Sequence, residues 1–246
     1  MLSKAKIKYI NALQTKKVRI KEETFLVQGT KSVLELIKSE FTVKYLVVTK
    51  AFLEENNPTL YAGITTIEAS EKELAAIGTF QSNNQVLAVV EMRKPKQLDL
   101  IKEEFILALD DIRDPGNLGT LIRLADWYGI KTVLCAHSCV DFYNPKVISS
   151  TMGSFTRIVP QYCDLKEVLQ AYDGPVYGAY MEGENVHHVP LEPKGVLVIG
   201  NESKGINPAL EPSIRKKLSI VGNGPTESLN AAIAAAILVD NFYRNM

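Results

Sequence analysis

The sequence predicts an α/β protein whose second half is a largely parallel sheet covered on both faces, preceded by a smaller α/β domain. Three observations carry this expectation. Short apolar runs rich in β-branched residues recur at 43–48, 105–109 and 195–199, and near-continuous apolar strands are those buried on both faces. Segments with helical apolar spacing fall between the later runs, the order in which crossovers join parallel strands. At 246 residues, 46% hydrophobic and 23% charged, the chain has an ordinary globular composition and fits one large or two modest domains.

The N-terminus is polar and basic. Lys4, Lys6, Lys8, Lys16, Lys17, Arg19 and Lys21 precede the first acid, Glu22, leaving 21 basic and 28 acidic residues in the rest of a chain of zero net charge. Zero net charge argues against nonspecific coating by nucleic acid, while a basic arm reads either as a solvated terminus or as a segment that contacts phosphates. Residues 23 to 91 then read as a small α/β unit. A strand at 25–27 turns at Gly29 into a helix over 32–39, followed by a strand at 43–48. A helix over 70–77 is expected to lack a full capping box, and 85–90 is another buried strand.

From Met92 to Glu104 the apolar run is lost and a proline intervenes, the best boundary in the chain. This predicts a separate domain at 1–95, a linker at 96–104 and a second domain at 105–246. Strands are expected in the second domain at 105–109, 132–135, 176–180, 195–199 and 217–221. The last of them feeds a loop with Gly222, Gly224 and Pro225, then an alanine-rich helix over 229–239. That helix is apolar almost all round and should be buried on more than one face, with Thr226 or Ser228 available to cap it.

No run approaches the ~20 apolar residues of a membrane span, and no apolar segment follows the basic N-terminus, so a cytoplasmic protein is expected. Cys135, Cys139 and Cys163 cannot all pair. Cys135-Ala-His137-Ser-Cys139 puts ligating atoms on one face of a strand end without a fourth ligand nearby, so no metal is expected and the cysteines read as packing residues.

Three blocks of the second half lie at the ends of predicted strands. The first holds Asn117, Gly119 and Arg123; the second holds Gly200, Asn201, Glu202 and Gly205; the third holds Ser228, Leu229 and Asn230 ahead of the alanine-rich helix. Glycines that let the backbone approach closely, small polar side chains and the unpaired N–H groups of a helix start make a place for a ligand. The plain alternative is an ordinary strand-turn-helix connection.

In this order and at this distance from the C-terminus, the blocks resemble the three motifs of the SpoU (TrmH-type) family of RNA ribose 2′-O-methyltransferases, in the SPOUT superfamily. The N-terminal half resembles that family's ribosomal-protein-like substrate-binding domain, with Phe25-Leu-Val-Gln-Gly29 at its strand-Gly turn. Two departures stand out. Ile220-Val221-Gly222 replaces the usual Ile-Pro-Met opening of the third motif, and Ser149 stands where an arginine or glutamine is often found.

The resemblance implies a C-terminal trefoil knot, which general topology rules would exclude. It also implies S-adenosylmethionine held in the knot loops, with Gly200, Asn201, Ile220, Gly222 and Leu229 around it, and a homodimer. The substrate it implies is RNA, rRNA in preference to tRNA; the alternative is a non-catalytic RNA-binding relative. A Rossmann-type enzyme is disfavoured because no Gly-x-Gly-x-x-Gly turn follows an early strand. Arg123 is expected to grip a phosphate or stabilise charge on the 2′-oxygen, its structural alternative being a salt bridge to Asp110, Asp111 or Asp126. Asn117 and Asn230 are expected to fix that arginine and the ribose. Glu202 would anchor Arg123 or the loops, or merely place a charge at a helix start, and Ser228 would be a helix cap or a ligand to substrate or cofactor.

Overall fold

The computed structural model describes residues 2–79, 85–94, 105–192 and 194–244, so the expected linker at 96–104 lies outside the described residues. The chain forms two compact units: Met1–Lys94 with Asp141–Arg157, and Pro95–Val140 with Ile158–Met246. The stretch 141–157 comes from within the span read as the second domain, so the chain passes between the units three times.

In chain order the first stretch contains α1 (Lys4–Ala12), α2 (Lys16–Glu22), β1 (Thr24–Gln28), α3 (Thr30–Ile37), β2 (Val43–Val48), α4 (Lys50–Glu55), β3 (Thr66–Glu68), α5 (Glu71–Ile77) and β4 (Val86–Glu91). The second contains β5 (Phe105–Leu109), α6 (Pro115–Trp127), β6 (Thr132–Ala136), α7 (Pro145–Ser150), β7 (Gln161–Cys163), α8 (Leu165–Ala171), β8 (Val176–Asn185), β9 (Gly195–Ile199), β10 (Lys216–Ser219) and α9 (Ala231–Tyr243).

In the first unit the strands lie in the order β1-β4-β2-β3, with β2 and β3 parallel and the other pairs antiparallel. The basic arm is not a solvated tail. Ser3 caps α1 by accepting the Lys6 N–H at 3.3 Å, and Leu2, Ile10 and Leu13 enter the same core as Leu26, Val47, Leu74 and Ile77. Arg19 of α2 is 1% exposed. Its guanidinium donates to the carbonyls of Leu13 and Gln14 at 3.0 and 2.7 Å and to Asp141 Oδ2 at 2.6 Å.

Asp141 opens the inserted stretch, whose helix α7 packs on β1. Phe25 of β1 meets Tyr143 and Phe155 with ring centroids 4.6 and 6.2 Å apart, and Phe41 lies 6.0 Å from Phe155. The capping box expected to be incomplete at α5 is complete. Glu73 is the third helical residue; its N–H donates to Ser70 Oγ at 3.3 Å, and its carboxylate accepts the Ser70 N–H at 2.9 Å.

The second unit is built on a six-stranded sheet, β10-β8-β9-β5-β6-β7, in which every pair is parallel. The apolar runs at 105–109 and 195–199 are β5 and β9, buried throughout. Three expectations shift. The strand read at 176–180 continues to Asn185, β10 stops at Ser219 short of Val221, and β7 is an extra three-residue strand whose half-buried side chains leave no apolar run to detect. The last helix starts at Ala231, two residues later than read. It packs on α6 and β8 and buries Ala235, Leu238, Val239 and Phe242, but Ile233 stays 54% exposed, so burial is not all round within one chain.

Candidate active site

In-register pairing of β5 with β9, Leu109 opposite Ile199, brings the first and second blocks out of the sheet side by side. Asp110 continues the ladder by donating its N–H to the Ile199 carbonyl at 2.8 Å. Its carboxylate accepts the Asn207 N–H at 2.6 Å, and burial raises its pKa. Cys139 Sγ accepts the Ile112 N–H at 3.3 Å and donates to the Leu109 carbonyl at 3.2 Å. The thiol thus braces the first block's loop, a more specific part than packing alone.

The loop ends at Asp114, whose carboxylate accepts the Asn117 N–H at 2.8 Å and caps α6, with Pro115 in the first helical position. This cap fixes Asn117 on the first turn, its side chain facing the other two blocks.

The second block is a tight turn. Asn201 and Gly205 exchange backbone hydrogen bonds at 3.0 and 2.9 Å, and a Cβ on Gly200 would lie 2.3–2.5 Å from the Gly205 and Ile206 backbone, so only glycine fits. Asn201 accepts the Ser203 and Lys204 N–H groups at 2.9 and 3.1 Å and donates to the Asp111 carbonyl at 3.0 Å. Its side chain ties the second block to the first.

The polar side chains of all three blocks form one hydrogen-bonded chain. Asn230 Nδ2 donates to Asn117 Oδ1 at 2.8 Å, and Asn117 Nδ2 donates to Glu202 Oε1. Asn230 Oδ1 also accepts the Ala232 and Ile233 N–H groups at 2.9 and 3.4 Å, so Asn230 caps α9. Neither Thr226 nor Ser228 does. Ser228 is exposed and makes no hydrogen bond among the described residues. Asn230→Ala is expected to lower the unfolding free energy by about 1 kcal/mol through loss of this cap, and Asn230→Asp by much less. Urea denaturation of both variants checks it, and equal losses would show that the cap contributes nothing.

Arg123 is exposed on α6 and makes no ion pair or hydrogen bond among the described residues. The salt bridge considered for it is not formed to Asp111, which pairs with Arg113 Nε at 2.8 Å, nor to Asp110. Glu202 binds Asn117 and leaves Arg123 unanchored.

Residues 221–230 are exposed, and among the described residues none of their backbone N–H groups donates a hydrogen bond. A Cβ on Gly222 would meet nothing within 4 Å. Unpaired amides and carbonyls on an open loop, running from Ile220 through Gly222 to Leu229 and ending on the linked asparagines, fit a cofactor held through backbone contacts. Asp110, Asp114, Cys139 and Asn207 were not read as site residues; of these only Asp114-Pro115 carries a sequence signal, that of a helix start.

Residues 104–240 match the model of the SpoU rRNA Methylase family, and residues 4–88 match the MRM3-like substrate binding domain. The 23S rRNA (guanosine(2553)-2′-O)-methyltransferase RlmP of Bacillus subtilis is 36% identical over 95% of this chain and 94% of its own. The structure resembles that of the AdoMet-bound rRNA methyltransferase of Sinorhizobium meliloti, with a TM-score of 0.88 and 27% identity over 100% of this chain and 97% of that one. It also resembles a TrmH-family protein of Porphyromonas gingivalis, with a TM-score of 0.87 and 33% identity over 100% of both chains. The parallel sheet, the three linked blocks and these matches across both units agree: the chain belongs to the SpoU rRNA methylase family.

Proposed function

We propose that this protein transfers a methyl group from S-adenosylmethionine to a ribose 2′-hydroxyl of ribosomal RNA in the cytoplasm, the first unit gripping RNA and the second carrying the chemistry. The observation that carries this reading is the Asn230–Asn117–Glu202 chain, which joins three separated blocks at the end of a parallel sheet, next to an open loop with unpaired backbone groups. Gly200, Asn201, Ile220, Gly222 and Leu229 would hold the cofactor, which supplies an activated methyl group when bound. The trefoil knot expected of the family belongs to this reading, with its loops at the second and third blocks.

The chain's own residues have to align the 2′-oxygen and offset its developing charge. Asn117 and Asn230 orient the ribose, each holding the other in one arrangement. Arg123, which has no other partner among the described residues, grips the adjacent phosphate and stabilises the 2′-oxygen; its guanidinium acts as a donor and not as the base. Ser228 contacts substrate or cofactor. Incubating the purified protein with methyl-labelled S-adenosylmethionine and 23S rRNA tests the proposal. Label in a nucleotide resistant to alkaline cleavage is expected. Cofactor binding without transfer to rRNA would overturn the proposed substrate, and no cofactor binding would favour a non-catalytic RNA-binding relative.

We also propose a homodimer. Trp127 on α6 is 85% exposed, and Leu229 just ahead of α9 and Ile233 in its first turn are 45% and 54% exposed. The two helices pack together, and isologous pairing of their outer faces would cover these side chains. Sedimentation of the full chain at micromolar concentration is expected to give a dimer, and a stable monomer would refute it.

A further inference from the structure

We infer that the outer faces of α1 and α2 form a docking surface for the phosphate backbone of RNA, an inference that rests on the proposed RNA substrate and assigns it a location. The two helices carry six lysines and no acid before Glu22, although the rest of the chain has more acids than bases. The seventh basic residue of this stretch is separated from the others by the fold. Arg19 is buried against Leu13, Gln14 and Asp141, whereas Lys4, Lys6, Lys8, Lys16, Lys17 and Lys21 are exposed. Among the described residues Lys4, Lys8, Lys16 and Lys17 make no ion pair.

Four of the six lysines stand where they oppose helix stability. Neither helix has an acid in its first turn, and Lys4 and Lys6 in α1, like Lys16 and Lys17 in α2, stand at the positive end of the helix dipole. Lys4 and Lys8 share one side of α1, as do Lys17 and Lys21 on α2, so the charges form stripes and not isolated points. Helices anchored through Leu2, Ile10, Leu13 and Arg19 hold those stripes on a rigid base. Unneutralised charge placed where it weakens its own helix, on a firmly seated surface, suits a polyanionic partner whose binding releases counterions.

The test replaces Lys4, Lys8, Lys16 and Lys17 together by Gln in the full chain. A control replaces the exposed Lys131, Lys166 and Lys194 of the second unit in the same way. Binding to a 23S rRNA transcript is measured from low to moderate salt, along with cofactor binding and thermal melting. The helix variant is expected to bind at least about tenfold more weakly near 0.1 M salt, with the magnitude of the log–log salt slope reduced by about 2–4. Cofactor affinity should stay unchanged, and melting unchanged or higher. The control and an all-arginine version of the helix variant should keep the wild-type slope. An unchanged slope in the helix variant, an equal fall in the control, or a marked loss of melting temperature in the helix variant would each overturn the surface while leaving the enzymatic reading intact. Wild-type protein that neither binds nor methylates rRNA would overturn the reading beneath it.

Discussion

Arg123→Ala is expected to slow methyl transfer by about 100-fold or more while leaving cofactor affinity and dimerisation nearly unchanged, the scale set by loss of one preorganised charge donor. The side chain projects from α6 six residues beyond Asn117, is exposed, and has no ion pair or hydrogen bond among the described residues. Its removal therefore breaks nothing in the folded protein, and its contribution arises only when RNA is present. Asn117, Asn230 and Glu202 differ in being bonded to one another already, so their replacement disturbs the loops as well as the chemistry. Arg123→Lys should recover little, since an ammonium cannot give the planar two-pronged contact of a guanidinium. Calorimetric cofactor binding and single-turnover methylation on the same preparations separate the possibilities. Loss of cofactor binding as severe as the loss of methylation would mean that Arg123 holds the cofactor loops, and the assignment would be wrong.

Arg19→Ala is expected to destabilise the protein by about 3–5 kcal/mol, the range for removing one partner of a buried ion pair. The loss has several sources. The Asp141 carboxylate, 17% exposed, is left without its cation at 2.6 Å, and the carbonyls of Leu13 and Gln14 lose the donor that closes the turn between α1 and α2. Asp141→Asn should cost less, because the amide oxygen still accepts a hydrogen bond from the guanidinium. Arg19→Met with Asp141→Leu should regain part of the loss and not all of it, since the two carbonyls stay unpaired. Urea denaturation of the four proteins is the measurement, and an Arg19→Ala loss below about 1 kcal/mol would show the pair to be incidental. The neighbouring Lys16 and Lys17, both exposed, provide the contrast: alanine there should be close to neutral.

Much of this was legible because the second unit is patterned strongly. Strands buried on both faces leave continuous apolar runs, so β5 and β9 are expected with their observed bounds; Asn117, Glu202 and Asn230 are grouped only by the resemblance to three family motifs, and the structure links their side chains by hydrogen bonds. What escaped depended on contacts distant in sequence. Nothing local marks Arg19 apart from its lysine neighbours, because its partner Asp141 lies 122 residues away. For the same reason α1 and α2 are not legible as helices in a basic arm that reads either as a solvated terminus or as a phosphate-contacting segment: lysine-rich helices become stable here through Leu2, Ile10 and Leu13, which pack against strands distant in sequence. At the third block the composition points to Thr226 or Ser228 as the cap, yet Asn230 holds that role, because the backbone is still non-helical at the asparagine (ψ 139°) and turns helical only from Ala231. Cys139 shows the opposite failing, a residue read as packing whose two hydrogen bonds to the Leu109–Ile112 backbone depend on where β6 ends relative to β5.

The insertion of 141–157 into the first unit also sets a timetable for synthesis. Phe25, fully buried against Tyr143 and Phe155, leaves the ribosome long before either partner is made. At roughly 5–20 residues per second, translation separates Phe25 from Phe155 by about 6–26 s. During that interval β1 has no α7 to cover it and Arg19 has no counter-ion, so the nascent N-terminal sheet presents an apolar face and a buried-to-be cation together. The first unit therefore closes after the strands β5 and β6 have already been translated, and the usual N-to-C succession of domain folding gives way to one in which the earlier-made unit finishes only with residues supplied by the middle of the chain.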